Sequence, residues 1–136
     1  MNKRICFSVL ISTLLIGLTT TGQERDVVKP ELLHREIVEG MPTGERQEVR
    51  VLTARFQPGE KTMLHTHRFP VTVYILEGTF TLEIEGREPV IVKAGQAHVM
   101  PPHLKMTGHN RSRSEPLRLV IFSVSDPETP FLDPVH

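Results

Sequence analysis

The stretch Val71-Thr-Val-Tyr-Ile-Leu-Glu-Gly78-Thr-Phe-Thr-Leu-Glu-Ile-Glu-Gly86 decides the fold class. Its first six residues, 71–76, are rich in β-branched and aromatic side chains, which suit a pleated strand. Glu77-Gly78 then breaks the run. From Thr79 to Glu85, Phe80, Leu82 and Ile84 alternate with Thr79, Thr81, Glu83 and Glu85. A period of two marks a strand with one buried face. Glu85-Gly86 is the next turn.

The same pattern repeats outward from this hairpin. Upstream, Val49, Val51 and Thr53 share one face and Leu52, Ala54 and Phe56 the other, so both faces read as partly buried. Pro58-Gly59 is a turn. Residues 61–67 read as a strand with Met63, His65 and His67 on one side. Downstream, strands are expected at 89–92, 96–100 and 117–124, separated by Gly95 and by Pro101-Pro102. Residues 23–48 are polar and mixed. There Leu32, Leu33, Ile37 and Val38 suggest an arm containing a first short strand or helical turn, ended by Gly40, Pro42 and Gly44. Residues 125–136 hold three prolines and read as an irregular tail, packed as an arm on the domain or on a neighbour. Short strands at even spacing, with no amphipathic helical period after residue 22, predict an all-β sandwich or barrel.

The chain has 136 residues, one domain's worth, with 16 basic and 16 acidic side chains. Zero net charge and 5% aromatics argue against nucleic-acid binding, which needs a basic surface or a stacking platform. Lys3 and Arg4 precede the apolar run 5–18, and Thr19 to Gly22 follow it. That order is a secretory signal over residues 1–22, cut near Gly22, and the run is short for a membrane span. Cleavage leaves a net charge of −2 and removes Cys6, the sole cysteine. The expected location is therefore the periplasm or the exterior, with no stable membrane span after signal removal. A lipid anchor after the run has no cysteine acceptor. No nucleophile elbow and no phosphate-cradling glycine loop occur.

Seven histidines are many for this length, and five lie between residues 65 and 109. His65-Thr66-His67 is the focus. Residues two apart on a strand point the same way, so the two imidazoles face one partner, and converging neutral imidazoles suit a first-row divalent ion. Alone, such a pair is more often two surface histidines on an edge strand than a metal site. The punctuation around it is more specific. Gly59 is followed after five residues by His65, then His67, and after three more by Val71, with Gly78 six further on. Later come Gly95, Pro101, His103, Met106 and Asn110 at intervals of five, one, two and three residues.

This spacing resembles both signature segments of the cupin superfamily, G-x5-H-x-H-x3-E-x6-G and G-x5-P-x-G-x2-H-x3-N. Seven of the ten positions match: Gly59, His65, His67, Gly78, Gly95, Pro101 and Asn110. The resemblance implies a small antiparallel jelly-roll β-barrel over residues 49–124 with the two imidazoles pointing inward. It also implies a metal, a small-molecule cavity, and a homodimer as candidate assembly. The family's glutamate falls on Val71, its second-motif histidine on Met106 and its second-motif glycine on His103. The usual set of three histidines and a glutamate is therefore incomplete, and loss of the carboxylate removes a group that moves protons.

Three readings of the site stay open. His65 and His67 hold a divalent transition metal (Fe, Mn, Ni, Zn or Cu) with a third imidazole from His98, His103 or His109, of which His103 stands nearest the expected place. Alternatively Met106 supplies a thioether, with Met63 as a second sulfur, a soft set that favours copper. Or the metal is lost and Val71 and Met106 are packing residues. Met63, Val71, Tyr74 and His98 are the candidate cavity lining, although Tyr74 equally suits an anchoring role and His98 a satisfied histidine. Arg68 and Lys105 are flanking charges and His34 and His136 are outside the motifs. The functions implied are a metal-dependent binding protein with oxygenase-like activity on a small organic molecule, a non-catalytic metal- or ligand-sensing module, or a purely structural role.

Overall fold

The computed structural model describes residues 27–136. The secretory signal expected at 1–22 lies outside the described residues. Nine strands form: β1 Glu48–Phe56, β2 His65–Thr66, β3 Val71–Glu77, β4 Thr79–Ile84, β5 Val90–Lys93, β6 Ala97–Met100, β7 Met106–His109, β8 Leu117–Ser125 and β9 Asp133–Pro134. All pair antiparallel, in a four-stranded sheet ordered β1-β8-β3-β6 and a five-stranded sheet ordered β5-β4-β7-β2-β9. This is the expected all-β jelly roll. No helix of the described residues is long and apolar enough to cross a membrane.

The alternation read in the sequence becomes the core. Val71, Val73 and Ile75 of β3 and Leu117 and Leu119 of β8 face Phe80, Leu82 and Ile84 of β4 and Met106 of β7. Each fully buried aliphatic side chain contributes about 1.5–3 kcal/mol through apolar surface removed from water. On β1 only the Leu52, Ala54, Phe56 side turns inward. Val49 and Val51 are exposed, contrary to the expectation that both faces are partly buried.

Four local expectations are corrected. Residues 27–47 contain no strand or helix, and the first strand is β1. Leu32 and Ile37 stand in solvent, because that segment has no apolar period with which to bind a sheet edge. The strand expected at 61–67 shrinks to His65–Thr66, with one isolated bridge from Lys61 to His109. The tail is not wholly irregular, since Asp133–Pro134 add an edge strand to β2, with Thr66 opposite Asp133 and His65 opposite Pro134. Finally, β7 has no counterpart in the sequence reading. Its Gly108, a weak strand former, is required there because a Cβ would lie 2.5 Å from Cε2 of the Phe80 ring.

Candidate metal and ligand site

Strand β2 lies between β7 and β9, with His65 opposite Met106 on one side and Pro134 on the other. That placement buries both imidazoles, His65 at 5% and His67 at 2% exposure. Nδ1 of His65 donates to the Met63 carbonyl at 2.8 Å, and Nδ1 of His67 donates to the Phe131 carbonyl at 2.8 Å. A carbonyl only accepts, so each Nδ1 carries a proton, and in its neutral form each ring presents a bare Nε2 lone pair. These two Nε2 atoms lie 3.2 Å apart, with the rings edge to face.

Two lone pairs at this distance repel unless a proton or a cation lies between them. Burial lowers the His67 pKa below the ordinary imidazole range, outweighing the bond to Phe131, and the neighbouring His65 lowers it further. The proton is thus disfavoured. The separation matches that of two nitrogens bound to one ion at about 2.0–2.1 Å each. Backbone carbonyls fixing Nδ1–H is also how metal-binding histidines are commonly oriented. The pair therefore fits a metal ion.

A cavity of about 190 Å³ adjoins the pair. Its walls are apolar, including Phe56, Phe80, Leu82, Met100 and Phe131, and no carboxylate lines it. Apolar cavities of about 150 Å³ are large enough for one benzene ring.

The remaining candidates separate. Met106 is fully buried, on the same face as His65 by register. Val71 is buried and lines a narrow cleft beside His67, not the main cavity. Met63 is 61% exposed, so its sulfur is not part of the set; the chain is extended only at 65–66, and strand parity fails at 63. His103 is not a ligand in this arrangement. It keeps the left-handed backbone of the glycine it replaces, φ +63°, which points its side chain outward while its N–H donates to the His67 carbonyl at 2.7 Å. Tyr74 faces the outer side of the four-stranded sheet, away from the cavity, because β3 turns Val71, Val73 and Ile75 inward. His98 lines a different cavity. His109 bonds Glu83 at 2.8 Å and is not near the pair. Lys105 pairs with Glu85, and His34 with Glu36. Among the described residues, no group of three or more His, Cys, Asp or Glu side chains could hold an ion.

The signature residues divide between architecture and chemistry. The Asn110 side chain is buried and donates to the carbonyls of Phe56, Gln57 and Glu115, pinning the end of β1 and the approach to β8. Gly78 lets the β3–β4 turn touch the start of β8. Only His65 and His67 carry reactive atoms. Sequence reasoning missed Phe131, whose carbonyl holds His67 and whose ring lies 5.1 Å from the imidazole. It also missed the Arg68–Asp133 ion pair at 2.8 Å, which clamps β9 onto β2. Nothing in a two-residue strand ending in proline signals either contact.

The two depressed histidines set a pH response. His67 and His98 are both held below the usual imidazole range, chiefly by burial. The unfolded chain binds these protons first, so stability is complete above about pH 6.5 and falls as pH drops through the folded-state values. Glu48 and Asp133, lowered by Arg50 and Arg68, act only near and below the carboxylate range. Metal-free protein will show a lower urea midpoint at pH 5 than at pH 7.5. His98→Gln will reduce that difference, and an equal difference in both proteins would contradict the assignment.

The cupin domain family matches residues 52–123. No curated protein matches the chain. Among solved structures, a double-stranded β-helix protein from Klebsiella pneumoniae aligns at TM-score 0.55 and 19% identity, covering 74% of this chain and 90% of that one. A cupin-like protein from Thermotoga maritima aligns at 0.53 and 23%, covering 65% and 67%. The DMSP lyase DddQ from Ruegeria pomeroyi aligns at 0.51 and 18%, covering 71% and 57%. At these identities the likeness is one of fold. The matched domain, the two-sheet barrel and the inward H-x-H pair together place this chain in the cupin family.

Proposed function

We propose that this cupin binds one first-row transition metal ion through Nε2 of His65 and His67, copper ahead of zinc, beside a cavity for a small apolar molecule. The observation that carries the reading is the 3.2 Å approach of two buried Nε2 atoms, each deprived of its proton by a carbonyl bond on the opposite side of the ring. Met106, buried opposite His65 where the family's histidine would stand, makes the available set two imidazoles and a thioether. Such a soft set ranks copper above harder ions. The apolar leader read at 1–22 supports an exported protein.

When bound, the ion would supply a Lewis-acidic and, for copper, redox-capable centre. The chain's own residues orient the imidazoles, exclude water and shape the cavity. Val71 stands where the family carries glutamate, so the site has no carboxylate to move a proton. This favours binding or sequestration over acid–base catalysis.

Equilibrium dialysis of the purified protein against copper and against zinc tests the reading. One ion per chain is expected, with copper retained at lower free concentration. Absence of uptake for every first-row ion would overturn it.

A further inference from the structure

The cavity beside His65 and His67 has one wall that the barrel strands do not build. Phe131 and Leu132 line it from the C-terminal tail. The other wall residues stand on β1 to β8, apart from Thr62 and His67. Thr62 is itself tied to β7, through bonds in both directions with Gly108 at 2.9 Å each.

The tail is held more lightly than the strands. No residue from 126 to 136 is fully buried. Its strand, β9, has two residues and pairs with β2 alone. Pro130 and Pro134 have no N–H to give. Beyond the ladder, the Val135 N–H donates to the Leu64 carbonyl at 3.0 Å, and the Phe131 carbonyl accepts from His67. Arg68 grips both carboxylate oxygens of Asp133, at 2.8 and 2.9 Å. That ion pair is half exposed, so its contribution is modest and salt screens it. Segments with few buried contacts and exposed bonds open locally while the rest of the fold stays closed. At the root of the tail, Glu128 has φ +65°, a left-handed backbone that residues other than glycine seldom adopt. Rotation at Glu128 as the tail lifts relieves strain there.

We propose that residues 129–136 are a lid on the His65–His67 cavity, hinged at Glu128 and latched by Arg68 and Asp133, through which a small apolar molecule enters and leaves. The same movement takes the Phe131 carbonyl away from His67, so the open state keeps only one imidazole oriented by its carbonyl bond. An ion held by both rings therefore favours the closed lid, and a molecule in the cavity is retained longest when the ion is present. The lid rests on the reading of this cavity as a ligand site beside a metal pair.

Benzene is the probe, followed in the full chain by NMR exchange between its free and bound signals, with amide hydrogen exchange reporting the lid. In the wild type the Val135 amide should exchange faster than that of Leu82, which opens only with the barrel. Arg68→Ala and Asp133→Asn should each raise the Val135 rate about fivefold, and the double variant should raise it no further. Benzene association and dissociation should quicken by the same factor with an unchanged dissociation constant, because a latch alters access and not the cavity. Saturating zinc should slow both Val135 exchange and benzene escape. Val135 exchange no faster than that of Leu82, or benzene rates that ignore both latch variants, would overturn the lid and leave the metal and ligand reading standing. Zinc that binds yet leaves both rates unchanged would overturn the coupling to His67. A chain that binds no benzene would instead overturn the ligand reading, and the lid with it.

Discussion

Copper will raise the thermal midpoint of the wild-type chain, as the proposed site requires, and replacing His65 and His67 together by alanine will abolish that rise. A ligand that binds only the folded state stabilises it by about 4 kcal/mol at a thousandfold excess over its dissociation constant. For a domain of this size that raises the midpoint by roughly 10 °C or more. The double variant has no nitrogen left to hold the ion, so copper should leave its midpoint unmoved. Each single variant should bind at least about 100-fold more weakly, since one imidazole cannot share the ion with the other. Met106→Leu conserves volume and should cost under about 1.5 kcal/mol in stability. It should nevertheless narrow the preference for copper over zinc and weaken copper(I) most, because it removes the sulfur and leaves the two imidazoles. Calorimetric scans with and without each metal measure the wild type and all four variants. A metal-induced shift that survives in the double variant would move the site elsewhere.

Gly78→Ala will be the most damaging single methyl in the described structure. Gly78 has φ +80°, and a Cβ there would lie 2.4 Å from the Pro116 carbonyl oxygen and 3.1 Å from Cα of Leu117. Both are backbone atoms, and Leu117 is fully buried, so neither can yield without moving β8. The left-handed conformation alone costs a non-glycine residue about 1–2 kcal/mol. Displacing a core strand brings the total to about 4 kcal/mol or more, a large part of a domain's usual margin of about 5–15 kcal/mol. Gly86 is the control. Its φ is +75°, but a Cβ there meets nothing within 4 Å, so Gly86→Ala should cost only the conformational term. Denaturant unfolding of the two variants measures the difference, and equal costs would show that the β3–β4 turn is not wedged against β8.

The barrel was legible because its grammar is local. Alternation in Phe80, Leu82 and Ile84, and turns at Gly59, Gly78 and Gly95, depend only on neighbouring residues and reappear as strands and turns. The imidazole pair was legible for the same reason, since two residues of extended chain suffice to align His65 and His67. What surrounds the pair was not. Met63 should share their face by parity, but regular pairing stops at His65 and its side chain turns to solvent. His103 looked like a spare ligand, yet its position preserves a glycine-type backbone, and conformation rather than side-chain chemistry fixes where it points. His98 reads from the sequence as lining the same cavity, but it sits on β6, at the opposite end of the strand order from β1, and lines a separate space. Phe131 and Asp133 were invisible because their contacts with His67 and Arg68 span 64 and 65 residues.

That long span has a kinetic consequence. Closing a loop of 64 residues costs about 4 kcal/mol of chain entropy, so the bond from Phe131 that orients His67 forms late in refolding. Until it does, a nascent barrel offers metal only one correctly aimed imidazole. At the proposed site, capture of an ion would then trail the recovery of strand structure in a stopped-flow experiment, so that the ion would report completion of the fold.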